Sequence, residues 1–214
     1  MSDLIVNEIF HSIQGESSFM GRPCVFIRLT GCNLRCTYCD TAYAFYDGRP
    51  SSVEHILAEV DRFACRLVEV TGGEPLMQEG SLALLKALCD RGYETLLETG
   101  GSLDIGQVDP RVHRIMDIKC PGSGMQIRNR WENLDLVTRH DDVKFVIADR
   151  QDFDWSIEVV RRHDLSARTN VLFSPVFGRL EPIDLAGWLL ATGEPVRMQL
   201  QMHKYIWEPT ARGV

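Results

Sequence analysis

The stretch Cys24–Tyr43, CVFIRLTGCNLRCTYCDTAY, runs from a β-forming segment directly into three cysteines, Cys32, Cys36 and Cys39, at spacing C-x3-C-x2-C. Cys24 to Leu29 is rich in β-branched and aromatic residues and is bounded by Pro23 and Gly31. It reads as a strand, with the cysteines on the loop at its carboxyl end. Thiolates are the usual ligands of iron–sulfur clusters, and a four-iron cluster normally takes four of them. Three on one loop hold three corners and leave one iron open. Zinc is the competing reading, since C-x2-C pairs are common zinc ligands. A closed zinc site needs a fourth ligand, however, and no second C-x2-C is present. A disulfide framework fits poorly with an odd total of seven cysteines, three of them crowded into one loop.

Working outward, Asn7 to Ser12 alternates weakly and starts a strand, and Gln14 to Ser18 is a polar loop. Ser51, with Glu54 three positions on, has the pattern of a capping box. Val53, Ile56, Leu57, Val60 and Phe63 follow at helical spacing. Leu67–Val70 is a strand closed by Thr71-Gly72-Gly73-Glu74-Pro75, and Leu82, Leu84, Leu85 and Leu88 mark a helix ending near Gly92. Strands are expected over Tyr93–Glu98, Val112–Ile118, Asp142–Ala148 and Val171–Phe173, with helices over Phe153–Arg162 and Ile183–Leu190. Val196–Met202 alternates as a last strand before the tail that begins at His203.

Strands that alternate with helices predict an α/β fold with a mostly parallel sheet, in which ligands sit at the carboxyl ends of the strands. The cysteine loop, the Gly72-Gly73 turn, Glu98-Thr99-Gly100, Lys119 and Ser174-Pro175 all fall at that edge. A full eight-unit barrel takes about 250 residues. The 214 residues present fit a partial, open (βα)6-type barrel, read as one domain over residues 1–214. The formal charge of −7 and the lack of a basic run argue against a nucleic-acid backbone or an anionic membrane as partner. No run approaches the roughly 18 apolar residues of a membrane span. The N-terminus has no secretory pattern, and the thiol content suits a cytoplasmic protein.

C-x3-C-x2-C after a first strand, with Gly72-Gly73-Glu74-Pro75 after the next, resembles the radical S-adenosylmethionine (SAM) superfamily. A narrower resemblance rests on Gln14-Gly15-Glu16, Arg28, Cys39-Asp40-Thr41, Glu98-Thr99-Gly100 and Gln201-Met202-His203-Lys204-Tyr205. It covers nearly the whole chain and is to the 7-carboxy-7-deazaguanine synthase family. Members are carbon–nitrogen lyases of the route to queuosine and other 7-deazapurines. They contract 6-carboxy-5,6,7,8-tetrahydropterin to 7-carboxy-7-deazaguanine with loss of ammonia.

The resemblance implies that Cys32, Cys36 and Cys39 hold a [4Fe-4S] cluster and that Thr41 gives its hydroxyl to Mg2+. It implies S-adenosyl-L-methionine contacts from Tyr38, Cys39, Asp40, Gly73, Asp117, Ile118, Lys119 and Ser174, Pro175, Val176 and Phe177. Ile13, Gln14, Gly15, Glu16, Arg28, Thr71 and His203 would line the pterin pocket. A homodimer and a flavodoxin-type electron donor are implied as partners. Chemistry suits these types: an arginine fork pairs with a carboxylate, and a glutamine offers donor and acceptor to a pterin edge. Glu98 is either an acceptor for the methionine ammonium or a ribose hydroxyl, or a solvated strand end. Lys119 is either a partner for a carboxylate or a surface lysine. Arg28 and His203 have bland alternatives too, an ion-paired strand arginine and an anchor for the last strand.

The chain departs from the family pattern at Ser17, at Asp117-Ile118 before Lys119, and in running on from Trp207 to Val214. Cys24, Cys65 and Cys89 read as core thiols, and Cys120, at a strand end after Lys119, is expected to face the cavity without a catalytic role. His11, His55, His113, His140 and His163 form no ligand pattern. Two rivals stay open at this point: a radical SAM activase acting on a glycine of a partner protein, and a non-catalytic cluster or zinc carrier.

Overall fold

The structure, a computed structural model, describes residues 3–214. Among the described residues nine strands form one sheet: β1 (Leu4–Ile13), β2 (Pro23–Leu29), β3 (Arg49–Ser51), β4 (Leu67–Gly72), β5 (Glu94–Thr99), β6 (His113–Ile118), β7 (Asp142–Ile147), β8 (Asn170–Pro175) and β9 (Arg197–Met198). Their spatial order is β3-β1-β2-β4-β5-β6-β7-β8-β9. β1 pairs antiparallel with β2 and β3, and every pairing from β2 to β9 is parallel. The expected six parallel strands are therefore present as β2 and β4–β8, extended by a two-residue β9 and an antiparallel edge. The helices are α1 (Val53–Val60), α2 (Gly80–Asp90), α3 (Arg150–Arg162), α4 (Leu165–Arg168), α5 (Pro182–Thr192) and α6 (His203–Ile206). None is long and apolar enough to cross a membrane among the described residues.

Two-residue alternation divides the parallel strands into an apolar face and a polar one. Val25, Ile27 and Leu29 on β2, Val68 and Val70 on β4, and Val143, Phe145 and Ile147 on β7 are buried in the core. There they join Ile56, Leu57 and Val60 of α1, Leu84, Leu85 and Leu88 of α2, and Phe153 and Val160 of α3. The intervening residues, Phe26 and Arg28, Glu69 and Thr71, Ile115 and Asp117, and Lys144 and Val146, line a cavity instead.

The sheet curls around that cavity. In a flat sheet the four steps from β2 to β7 would put those strands roughly 19 Å apart. Yet the β1–β2 loop reaches β7 directly. Ser18 N donates to Asp142 Oδ2 at 2.7 Å, and Lys144 Nζ lies 2.7 Å from Glu16 Oε2. Neither contact is possible without strong curvature, which is the expected partial barrel.

Four local expectations are corrected. Ser51 belongs to β3, and the cap of α1 is Ser52, whose hydroxyl accepts from His55 N at 3.2 Å. Phe63 lies beyond the end of α1. The last strand shrinks to Arg197–Met198, and His203 opens α6 rather than following a strand. Cys120 turns into the core, fully buried, with its Sγ 3.4 Å from Ser156 Oγ. Cys24, Cys65 and Cys89 are core thiols as expected.

The relocated cap is testable by urea unfolding. Ser52→Ala is expected to cost about 1 kcal/mol, as loss of an N-cap does. Ser51→Ala should stay within about 0.5 kcal/mol. Equal effects would contradict the assignment.

Candidate active site

The cysteine loop leaves β2 and is fixed at both ends. At its start Gly73 N donates to Leu29 O at 3.2 Å and Glu74 N to Gly31 O at 2.8 Å. This approach requires glycine: a Cβ on Gly73 would collide with the Gly31 carbonyl and press on Cys32 Cβ. At its far end Thr37 N and Oγ1 donate to the carbonyls of Ser123 and Gly122 at 3.0 and 2.7 Å. Tyr38 Oη donates to Val146 O at 3.1 Å, and Leu34 is buried beneath the loop.

Cys32, Cys36 and Cys39 are free, half-buried thiols that line one cavity of about 730 Å³. Burial raises the Cys32 and Cys36 thiols, and Lys119 opposes that shift at both. Among the described residues no three His, Cys, Asp or Glu side chains converge tightly enough to cage a single metal ion. A four-iron cluster makes no such demand, because each thiolate bonds its own iron. The donor set therefore suits a cluster better than zinc. Thr41 Oγ1 sits 3.8 Å from Cys39 Sγ, at the start of the 3-10 turn Ala42–Phe45.

The cavity also receives Ile13, Gln14, Gly15, Glu16, Arg28, Asp40, Thr71, Gly73, Glu98, Asp117, Lys119, Val176, Phe177 and His203. Of the residues named from sequence, Ile118, Ser174 and Pro175 do not line it. Ile118 points into the core, and the buried Ser174 hydroxyl has no partner among the described residues. Phe177, partly exposed, meets Tyr205 edge-on at 5.5 Å between ring centres.

Arg28 is ion-paired within the sheet, with part of its guanidinium left over. Its Nε donates to Glu8 Oε1 at 2.7 Å, and Tyr43 Oη donates to the same oxygen at 2.8 Å. Its two terminal nitrogens make no hydrogen bond among the described residues and remain available to a carboxylate. Asp40 is tied to the C-terminal segment, 2.6 Å from Lys204 Nζ. Lys119 is half-buried and pairs with Asp117 Oδ2 at 2.8 Å. Burial lowers Lys119, but Asp117 and Cys36 outweigh it and keep the ammonium charged. His203 packs against Gly15, where any Cβ would strike its ring, and Met202 N donates to Gly15 O at 3.0 Å. It thus anchors the β1–β2 loop to α6.

Several lining residues went unread in the sequence. Glu69 and Lys144 are charged residues inside apolar strands, LVEVTG and DVKFVI, and that interruption of the pattern was the available signal. Lys144 Nζ lies 2.7 Å from Glu16 Oε2 and 2.5 Å from Glu98 Oε1. Glu98 is thus ion-paired and no freely solvated strand end, and it accepts from Thr71 Oγ1 at 3.0 Å. Glu69 is buried and accepts from the Gln14 amide. Burial, then Glu98, raise its carboxyl well above the carboxylate range. Burial also raises Glu16, but Lys144 and His203 override it and bring that carboxyl down to about 2. Tyr43 and the tail from Pro209 to Val214 complete the wall, with the Arg212 guanidinium 4.0 Å above the Tyr43 ring.

Residues 26–163 match the family model described as the radical SAM superfamily. The chain is 50% identical over 214 residues to a 7-carboxy-7-deazaguanine synthase of Chlorobaculum tepidum, covering 99% of this chain and 97% of that protein. It is 45% identical to one of Koribacter versatilis, covering 98% and 99%. The fold is that of the crystal structure of QueE from Escherichia coli, with a TM-score of 0.77 at 22% identity over 94% of this chain and 95% of that one.

Two outcomes follow from this geometry. Gly73→Ala should separate the cysteine loop from the turn below it, so that iron retained after anaerobic reconstitution falls by at least half while far-ultraviolet circular dichroism is kept. Retention at the wild-type level would contradict the close approach. The second concerns acid. With its carboxyl lowered from 4.5 to about 2, Glu16 contributes stability that is complete above about pH 4.5 and is lost as pH falls toward 2. Urea midpoints should show a drop on the order of 3 kcal/mol across that window that Glu16→Gln does not share.

Proposed function

We propose roles for the cavity residues of a chain that belongs to the radical SAM superfamily and, within it, to the 7-carboxy-7-deazaguanine synthase family. Its function is that of a radical SAM lyase of queuosine biosynthesis. The substrate assigned is 6-carboxy-5,6,7,8-tetrahydropterin, and the products are 7-carboxy-7-deazaguanine and ammonia. The observation that carries this assignment is the convergence of three free thiols, Arg28 and Gln14–Glu16 on one cavity.

Cys32, Cys36 and Cys39 would hold a [4Fe-4S] cluster that, with S-adenosyl-L-methionine at its open iron, supplies a 5′-deoxyadenosyl radical for hydrogen abstraction. Tyr38 offers a flat apolar wall to the adenine, held in place by its bond to Val146 O. Gly73, without a side chain, leaves backbone within reach of the methionine end. Lys119, kept cationic beside Asp117, neutralises a carboxylate there. Asp40, Val176 and Phe177 complete the same subsite. Thr41 would offer one hard oxygen to Mg2+, an ion that prefers oxygen ligands and would supply electrostatic orientation of a carboxylate.

Arg28 grips the substrate carboxylate with its two terminal nitrogens, since Glu8 occupies only Nε. Ile13, Gln14, Gly15, Glu16, Thr71 and His203 hold the ring. The tail and Phe177 close the mouth, which keeps water from a reactive carbon centre. Residues 1–214 act as one radical SAM domain, a reading supported by the single sheet. The chain works as a cytoplasmic homodimer with a flavodoxin-type electron donor; its seven free cysteines suit that compartment, and Ile183 and Leu190 offer α5 an exposed apolar face.

The test is anaerobic turnover by cluster-loaded protein with reductant, Mg2+, S-adenosyl-L-methionine and the carboxypterin. The expected product is 7-carboxy-7-deazaguanine. Cleavage of S-adenosyl-L-methionine without that product would sink the substrate assignment. Arg28→Lys keeps the charge but loses the fork, so KM for the pterin should rise at least tenfold, equivalent to about 1.4 kcal/mol, with a smaller change in kcat.

A further inference from the structure

Lys144 stands in the middle of the barrel, 3% exposed, and the roles above give it nothing to do. Its ammonium is 2.7 Å from Glu16 Oε2, on the β1–β2 loop, and 2.5 Å from Glu98 Oε1, on β5. Each carboxylate spends its other oxygen on a neutral donor. Gln201 Nε2 donates to Glu16 Oε1 at 3.0 Å, and Thr71 Oγ1 donates to Glu98 Oε2 at 3.0 Å. Glu69 comes up from β4 against the Gln14 amide, whose carbonyl oxygen accepts from Glu16 N at 3.0 Å. Asp117, the next acid along on β6, is taken by Lys119 at 2.8 Å.

This arrangement holds more acceptors than it needs. Two glutamates flank one lysine, Glu69 stands beside them on the Gln14 amide, and a carboxylate has about four lone-pair sites, of which the contacts above fill only some. Without Lys144, the Glu16 and Glu98 side chains would repel each other as like charges and separate. With it between them they are held side by side on the same cavity. A ligand that complements them presents adjacent N–H groups. The pyrimidine edge of a pterin does so, with its 2-amino group and ring N3–H forming a fork like that of a guanidinium.

We propose that Lys144 is a positioning residue for substrate recognition: it fixes Glu16 and Glu98 as a paired acceptor for the amino–imino edge of the pterin, opposite the carboxylate end held by Arg28. The inference rests on the pterin assignment above and adds the residue that builds the ring-reading half of the pocket. It also gives the chain a basis for rejecting pteridines that lack the 2-amino group, because an acceptor pair left unmatched in a buried site is costly.

The test is equilibrium binding to cluster-loaded protein with S-adenosyl-L-methionine and Mg2+ but no reductant, so that nothing turns over. Two ligands are compared: the carboxypterin and its analogue with hydrogen in place of the 2-amino group. Wild-type protein should favour the carboxypterin at least tenfold. Lys144→Met should narrow that preference below threefold, a ratio that general loosening of the fold does not predict. A tenfold preference retained in Lys144→Met would overturn the proposal. If that variant fails to fold, Glu98→Gln, which keeps the Lys144–Glu16 pair, decides the matter by the same ratio and the same limits. Failure of wild-type protein to bind the carboxypterin at all overturns the substrate assignment and this inference with it. Binding of the carboxypterin without a preference over the analogue overturns the inference alone.

Discussion

The backbone contact between the Gly72-Gly73 turn and the start of the cysteine loop is the constraint on which the rest depends. Two hydrogen bonds, Gly73 N to Leu29 O and Glu74 N to Gly31 O, lock the ends of β2 and β4 together. Glu74 then carries the lock to β5. Its buried carboxyl accepts from Leu76 N at 3.1 Å, from Thr99 Oγ1 at 2.9 Å and from Gly100 N at 2.7 Å. Burial raises this carboxyl despite those donors. Gly-Gly-Glu-Pro is thus a brace across three strand ends, with its glutamate turned inward to the scaffold. The thiols stand over the cavity because this brace leaves their loop no other course.

Inside the barrel the governing term is electrostatic. Glu16, Glu69, Glu98 and Asp117 share the interior with Lys119 and Lys144, and Arg28 stands at the β2 side. Taking such groups out of water costs several kcal/mol per ion unless each is paired and hydrogen-bonded. The chain meets that cost by pairing: Lys144 with Glu16 and Glu98, Lys119 with Asp117, Arg28 with Glu8. At Glu69 burial and the neighbouring Glu98 raise the carboxyl instead, which disfavours its charge there. A well-packed apolar interior would be at least as stable. The polar lining is therefore explained by what the cavity binds, and it concentrates at the carboxyl ends of the parallel strands, where this architecture places ligands.

Much of this was legible in the sequence, because the strongest signals were local. The strand before Cys32, the parallel βα order and the gathering of motifs at one sheet edge follow from periodicity and turn residues. What was misread depended on neighbours distant in the chain. Ser51 and Ser52 are both plausible caps, and only the pairing of Ser51 with Leu4 decides between them. Val196–Met202 alternates like a strand, but beyond Met198 the segment leaves the sheet and Met202 N bonds Gly15 O instead. Cys120 sits at a strand end, where one residue of register decides between cavity and core. Lys144 and Glu69 were passed over because each lies inside an otherwise apolar run, and their meaning comes from partners 128 residues away for Lys144 with Glu16 and 55 for Glu69 with Gln14.

The central claim is that a single cavity joins the radical source on the cysteine loop to a substrate held between Arg28 and Lys144. The most direct measurement is a crystal structure of cluster-loaded protein with S-adenosyl-L-methionine, Mg2+ and the carboxypterin, with anomalous data collected at the iron edge. The account predicts iron density at Cys32, Cys36 and Cys39, and a pterin in the same cavity with its carboxylate on Arg28 and its amino edge on Glu16 and Glu98. Iron bound elsewhere, or a pterin outside this cavity, would contradict it.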